Sequence, residues 1–165
     1  MDLDFSLDQD STQSAARIQA NATFSAQNTK LVFDPSSLKV LNREWKFDAL
    51  NLITLTPEEI NFENVKIFNQ EQFISLEGKI GKEDSDQRNL TISNVNIDLL
   101  NTLLPQQYEG LANGNIAIEQ IYSSPLISGN FIMSDFGINK FPLGNIEADL
   151  NMGPEEILVS LTNTY

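Results

Sequence analysis

The sequence contains no cysteine and no histidine. That removes disulfides, thiol nucleophiles, Ser-His-Asp and Cys-His triads, zinc sites built on imidazole or thiolate, and haem held by either residue. The lack of thiols suits an oxidising compartment without fixing one. Basic residues are scarce as well: 10 Lys plus Arg stand against 23 Asp plus Glu, a formal net charge of -13 with a pI near 4.2. A phosphate backbone would be repelled, so no nucleic-acid partner is expected. No apolar run approaches the roughly 20 residues that a spanning helix needs. The start, Met1-Asp2-Leu3-Asp4, lacks the basic and apolar regions of a signal peptide, so the chain reads as soluble and without a targeting segment.

What the sequence has in abundance is alternation. Leu3, Phe5 and Leu7 alternate with acids, and Ile18, Ala20, Ala22 and Phe24 alternate with polar residues. Leu38 and Val40, then Trp45 and Phe47, continue the pattern, as do 73–80, 127–133, 146–152 and 157–161. A period of two with apolar residues on one side and Asn, Asp, Ser, Lys or Glu on the other is the mark of antiparallel strands with one wet face. The expectation is about a dozen strands, which at about 4.8 Å each would make a sheet about 55 Å long. Strand content should exceed the usual 20–25%, with helix below about 15%. At 165 residues the chain is read as one unit, 1–165, a single continuous sheet segment. The alternation is still running at 157–161, so the expectation is a piece of a longer repetitive protein.

Turn signals separate the alternating runs. Thr56-Pro57-Glu58-Glu59-Ile60 and Gly153-Pro154-Glu155-Glu156-Ile157 are near copies, with Pro placed to preset φ for a type I turn. Residues 81–89 read as a longer polar hairpin loop, and Phe141-Pro142-Leu143-Gly144-Asn145 reads as another reversal. One short helix is predicted near 98–104, with Asp98 as its cap, Leu99, Leu100, Leu103 and Leu104 on one face, and Pro105 beyond it. A weak repeat runs through Ile60-x-Phe62-x-Asn64-Val65-x-Ile67, Leu90-x-Ile92-x-Asn94-Val95-x-Ile97 and, in part, Ile116-x-Ile118-x-Gln120-Ile121. In each copy the apolar set slips by one residue at Asn64, Asn94 or Gln120. A β-bulge at those three positions would keep the apolar residues on one face.

Chemistry-bearing constellations are thin. Glu58 with Glu59 and Glu155 with Glu156 are neighbours on a Pro-containing turn and cannot oppose each other across a cleft, as a glycosidase requires. The acidic loop Glu83-Asp84-Ser85-Asp86 lacks the Gly and terminal Glu of a calcium loop, Val95 standing where that Glu belongs. Asn21-Ala22-Thr23 and Asn89-Leu90-Thr91 fit the glycosylation pattern, but with 18 Asn in the chain such matches arise by chance. Gly78, Gly81, Gly110, Gly114 and Gly129 show no nucleotide-binding spacing. Trp45, on an alternating run, is more often core or groove lining than a ligand platform. No enzymatic activity, metal or cofactor is expected. What is left is the apolar face, which something must cover: a second sheet, the leucine segment, a partner or a ligand with an apolar body. Pattern alone leaves a closed sandwich or barrel with a dry core and an open groove equally in play.

The order of these elements resembles a known family. Ser37-Leu38-x-Val40 followed by Trp45-x-Phe47, the two Asn-Val repeats, Phe73-Ile74-Ser75-Leu76-Glu77-Gly78-Lys79-Ile80, the leucine segment, Gly110-x-x-x-Gly114-x-Ile116-x-Ile118 and Pro125-Leu126-x-x-Gly129-x-Phe131 resemble the TamB (translocation and assembly module) family. More broadly they are similar to the AsmA-like, bridge-like lipid transfer group. The likeness covers roughly 30–165 and consists of alternation with Gly and Pro punctuation. It implies a periplasmic segment of a protein anchored in the inner membrane, the anchor lying outside this chain. Its fold would be all-β, an elongated, twisted, mainly antiparallel sheet forming a half-open apolar groove, often called a β-taco. The implied partners are phospholipid or other acyl chains and an outer-membrane β-barrel assembly protein, and open edges could also let the segment self-associate. The residues expected to line the groove are Trp45, Phe47, Phe62, Val65, Ile67, Ile92, Val95, Ile97, Ile116, Ile118, Phe131 and Met133, acting by bulk apolar contact. The alternatives from other classes are a chaperone-like scaffold whose edges accept client strands and a structural, adhesin-type β-module without a lipid ligand.

Overall fold

A computed structural model describes residues 1–8, 15–34, 37–83, 86–102 and 104–164. The side chains of Phe5 and Leu7 fall outside the described residues, as do Asp84 and Ser85 of the acidic loop and Leu103 of the leucine segment. Among the described residues there are thirteen strands: β1 (Asp2–Asp8), β2 (Ala15–Phe24), β3 (Thr29–Phe33), β4 (Ser37–Val40), β5 (Arg43–Phe47), β6 (Leu52–Leu55), β7 (Ile60–Asn69), β8 (Gln72–Ile80), β9 (Gln87–Asn96), β10 (Tyr108–Glu119), β11 (Leu126–Ile138), β12 (Phe141–Met152) and β13 (Ile157–Thr164). All belong to one antiparallel sheet. β3 and β4 pair with successive stretches of β2, and β5 and β6 both lie along β7. Each of these two pairs is therefore one long strand with an interruption. The topology reduces to a meander of eleven rows in chain order, about 48 Å from first row to last at the usual strand spacing.

The interruption is held by one buried amide. Asn51, 1% exposed, accepts from the Phe33 N–H at 2.7 Å and donates through Nδ2 to the Phe33 carbonyl at 2.8 Å, standing where a neighbouring peptide would stand. The same Nδ2 also donates to the Asp48 carbonyl. Asn101 repeats the device at the start of β10, accepting from the Tyr108 N–H at 2.7 Å and donating to its carbonyl at 3.2 Å. Both satisfy backbone groups that an ended ladder would leave unpaired.

Two of the three expected bulges are present. Between Phe62, opposite Gly78, and Val65, opposite Leu76, β7 has one residue more than β8. β9 has one more than β10 between Ile92, opposite Gly114, and Val95, opposite Ala112. The extra residues include Asn64 and Asn94, both at φ 50°, the left-handed region that Asn tolerates best after Gly. Gln120 is a correction: its φ is 52°, but it lies beyond the end of β10, in a turn where the Ser123 N–H donates to its carbonyl. A further bulge occurs at Asp135, φ 52°, between Met133 and Phe136 on β11. The N–H groups of Asn94 and Asp135 are taken by the side-chain oxygens of Asn113 and Asn145, at 2.9 and 3.0 Å.

The turns follow the sequence with two exceptions. Thr56 N–H donates to the Glu59 carbonyl and Gly153 N–H to the Glu156 carbonyl, both at 2.9 Å, so the two Pro-Glu-Glu segments are equivalent reversals. Phe141–Asn145, expected to reverse the chain, instead opens β12; the reversal is the two-residue turn Asn139-Lys140, both at positive φ as a type I′ hairpin requires. The polar loop is shorter than expected, since Gln87–Asn89 already pair in β9. The helix is 3-10 in type and spans Ile97–Thr102 rather than 98–104. Asp98 is not its cap: the Asn96 side chain accepts the Asp98 N–H at 3.0 Å, and the Asp98 carboxylate is engaged elsewhere. Leu100 and Leu104 are 40% and 43% exposed, so no buried leucine stripe forms there.

The sheet is not closed. Among the described residues only Ala20, Ala22, Trp45, Val95, Ile97, Ala112 and Phe136 are buried apolar side chains, too few for a sandwich or barrel interior. The closed-core reading is thereby set aside. Replacing Asn51 with Ala strips two buried backbone groups of Phe33 of their partners, at about 1–3 kcal/mol for each group left unsatisfied. Urea unfolding of Asn51→Ala should show a loss of that order at unchanged slope, and a midpoint equal to the parent's would contradict the role given to this amide.

Candidate functional site

Cross-strand register decides which side chains share a face. From β7 to β13 one row runs Ile67, Ile74, Ile92, Gly114, Phe131, Ala148, Leu161. The next runs Val65, Leu76, Leu90, Ile116, Gly129, Leu150, Val159. A third continues leftwards to Leu31 and Ile53, then Phe62, Gly78, Arg88, Ile118, Ile127, Met152 and Ile157. On the opposite face the row between the first two reads Lys66, Ser75, Thr91, Asn115, Asn130, Asp149, Ser160. One face is thus apolar in ordered rows, and the other is polar. Most residues of the apolar rows are half-buried, shielded by their row neighbours and, among the described residues, by no second layer.

The twelve residues expected to line a groove fall on this apolar side. Phe47 faces Ile67 and stacks on Phe33 with ring centroids 4.6 Å apart. Phe62, Val65, Ile67, Ile92, Ile116, Ile118 and Phe131 sit in the three rows, and Val95 and Met133 flank Ala112 in a fourth. Trp45, opposite Leu38 on β4, is 2% exposed and its indole N–H has no partner, so it is interior filling and no exposed platform. Ile97 is on no strand: it enters the 3-10 helix and packs with Ala112 and Phe136, surrounded by Ile92, Phe131, Met133 and Ile146. Two glycines shape the rows. Phe131 lies over Gly114, where an added Cβ would come 2.7 Å from its ring. Gly78, opposite Arg88 and at φ +105°, admits no side chain, because a Cβ there would strike the Gln87 carbonyl.

Ion pairing ties the 3-10 helix to the sheet. The Arg43 terminal nitrogens meet both Asp98 carboxylate oxygens at 2.5 and 2.6 Å, 55 residues apart in sequence. Hydrogen bonding to Asp98 raises the Arg43 guanidinium above its ordinary value, against the lowering effect of burial. A cation whose folded value is raised contributes stability at every pH below its unfolded value, so this pair persists across the ordinary pH range. With Ile97 docked on the apolar face and Asp98 held by β5, the helix lies across one end of that face.

Other groups are bland. Glu59 pairs with Lys79 at 3.2 Å, and Lys66 Nζ lies 4.1 Å over the Phe73 ring on the polar face. A depression of about 320 Å³ lined by Lys66, Phe73, Ser75, Glu77, Asn89 and Thr91 lies on that face too. Among the described residues no cluster of three His, Cys, Asp or Glu could hold a metal, and no helix is long and apolar enough to cross a membrane. No family model, no curated protein and no solved structure matches the chain.

Asp98→Ala leaves the Arg43 fork without its carboxylate, a change of about 1–2 kcal/mol for a half-exposed, two-pronged pair. Amide exchange at 97–102 should then accelerate while β8 to β11 keep their protection. Equal acceleration throughout the sheet would show that the pair holds the whole fold and not the helix alone.

Proposed function

We propose that this chain is a segment of a cell-envelope lipid conduit of the TamB and AsmA-like kind. Its apolar face would form a half-open groove that carries phospholipid acyl chains along the sheet. Such a segment would sit in the periplasm, in a longer protein anchored in the inner membrane, and would supply lipid for, or support assembly of, outer-membrane β-barrel proteins. The observation that carries the reading is the pair of apolar rows through Ile92 and Ile116, in register across seven strands, with no second layer over them among the described residues. Each methylene removed from water is worth about 0.8 kcal/mol, so a fatty chain lying along several strands gains several kcal/mol even after its ordering costs. No nucleophile and base stand together in the face, which fits carriage and not turnover.

The test uses Ile92→Asp and Ile116→Asp, which put a carboxylate into the rows. Where the face meets water when empty, these variants keep strand-type circular dichroism and melt within a few degrees of the parent. They should also retain several-fold less co-purified lipid by mass spectrometry. Folded variants with undiminished lipid would remove the face from the pathway, and outright unfolding would mean that both side chains are interior.

A second reading, an interaction scaffold that accepts a strand at its edge, is favoured by β13. All eight of its residues are exposed, Ile157, Val159 and Leu161 by 65%, 55% and 69%, and the run carries no charge and no proline. The other edge, β1, has the sequence DLDFSLD, with acids at Asp2, Asp4 and Asp8. Charges blunt an edge against strand addition, and β13 has none. Val159→Lys with Leu161→Lys should abolish concentration-dependent association in sedimentation velocity at unchanged melting temperature. A parent that stays monomeric at high concentration would count against this edge as a docking site for its own copies.

A further inference from the structure

Arg88 is out of place. It belongs to the third apolar row, opposite Gly78 on β8 and Ile118 on β10, in phase with Leu90 and Ile92 on its own strand. It is 2% exposed, with Asn51 the most completely buried side chain of the described residues. Nε donates to the Lys79 carbonyl at 2.7 Å and one terminal nitrogen to the Ile118 carbonyl at 3.3 Å. The other terminal nitrogen is buried with no acceptor, and among the described residues no carboxylate pairs with the guanidinium. The chain carries 23 acids against 10 basic residues, yet among the described residues none serves this cation as a counterion. A buried charge without a partner is strongly disfavoured, so an arrangement that retains one is poised for an anion.

We infer that Arg88 is an anchor for the carboxylate of a long-chain fatty acid, whose chain lies along the row Ile118, Ile127, Met152 and Ile157. The inference rests on the reading that the apolar face takes acyl chains, and adds a head group to it. Three features select this occupant. The one terminal nitrogen that lacks an acceptor matches a carboxylate oxygen, and such charge-assisted bonds strengthen where water is excluded. A carboxylate brings only two oxygens, whereas a phosphodiester would carry its glycerol and polar head into an apolar row. From Arg88 to Ile157 the row crosses four strand spacings, about 19 Å, comparable to an extended fatty chain.

The test compares cis-parinaric acid, a fluorescent fatty acid, with its methyl ester, which has the same chain and no charge. The parent should bind the acid about tenfold more tightly than the ester, the scale of one charge-assisted bond. Arg88→Met should abolish that preference while leaving the ester unchanged. Removing a buried unpaired cation is expected to be tolerated by the fold, and Arg88→Lys, which keeps the charge, should retain part of the preference. Equal binding of acid and ester by the parent, unaltered in Arg88→Met, would overturn the anchor and leave the acyl reading standing. Failure of both probes to bind would remove the acyl reading and the anchor with it. Displacement of the acid by an equal concentration of phosphatidylcholine vesicles would overturn the fatty-acid assignment in favour of phospholipid.

Discussion

Everything in this structure hangs on register. In an antiparallel sheet the side chains alternate with a period of two, so a slip of one residue moves every apolar group of a strand to the other face. The slips in the sequence at Asn64, Asn94 and Asp135 would do that to the far halves of β7, β9 and β11. Each is cancelled by an extra residue in a left-handed conformation. Without the one at Asn94, Val95 would leave Ala112, and Ile97 could not reach the cluster that seats the 3-10 helix. Bulges also bend a strand and tighten its twist, so the devices that keep the apolar rows continuous also curve the sheet that carries them.

A sheet of one layer has little interior to rely on. With seven buried apolar side chains among the described residues, stability comes chiefly from the ladder and from cross-strand pairs, each worth about 0.2–1 kcal/mol. That places unusual demands on backbone hydrogen bonding wherever the ladder is broken. Asparagine meets them. Asn51 and Asn101 act as substitute peptides, Asn113 and Asn145 take the bulge N–H groups, and Asn42, Asn64, Asn94 and Asn139 supply positive φ. The high asparagine content is thus structural, and neither glycosylation pattern is needed to explain it.

Much of this was legible in the alternation. The strands, the two Pro-Glu-Glu reversals and the bulges at Asn64 and Asn94 all follow from apolar spacing, because spacing and burial have the same cause. The Asp135 bulge carries the same signature, Met133-Ser134-Asp135-Phe136, an apolar residue, a small polar one, Asp and an apolar one, and escaped only because its flanks do not match the repeat. Gln120 shows the limit of the signature: the slip is there, but Glu119 is the last paired residue, so nothing remains for a bulge to re-aim. The Asn139-Lys140 turn was hidden by the Pro and Gly that follow it, which belong to the start of β12. Arg88 stands at the rim of a polar loop in sequence and is easily assigned to it. Only the pairing with Gly78 and Ile118 reveals that it faces the apolar rows. Asp98 reads as a cap because Asp at a helix start usually is one, while Arg43, 55 residues away, cannot be connected to it by local pattern.

The distribution of charge bears on what can approach the open face. Two copies packed face to face would place their apolar sides about 10 Å apart and their acidic sides farther out still. At physiological salt the screening length is about 8 Å, so the net charge of -13 offers little protection against such stacking. Protection against strand addition has to be local, and it is uneven. β1 carries Asp2, Asp4 and Asp8 on a seven-residue edge, whereas β13 presents Ile157 to Thr164 without a charge. The two edges are therefore chemically unlike: like charges within a few ångströms oppose pairing at β1 at any ordinary salt concentration, and nothing comparable opposes it at β13. Lateral extension of the sheet is thus favoured in one direction only, past β13, where the apolar rows already point.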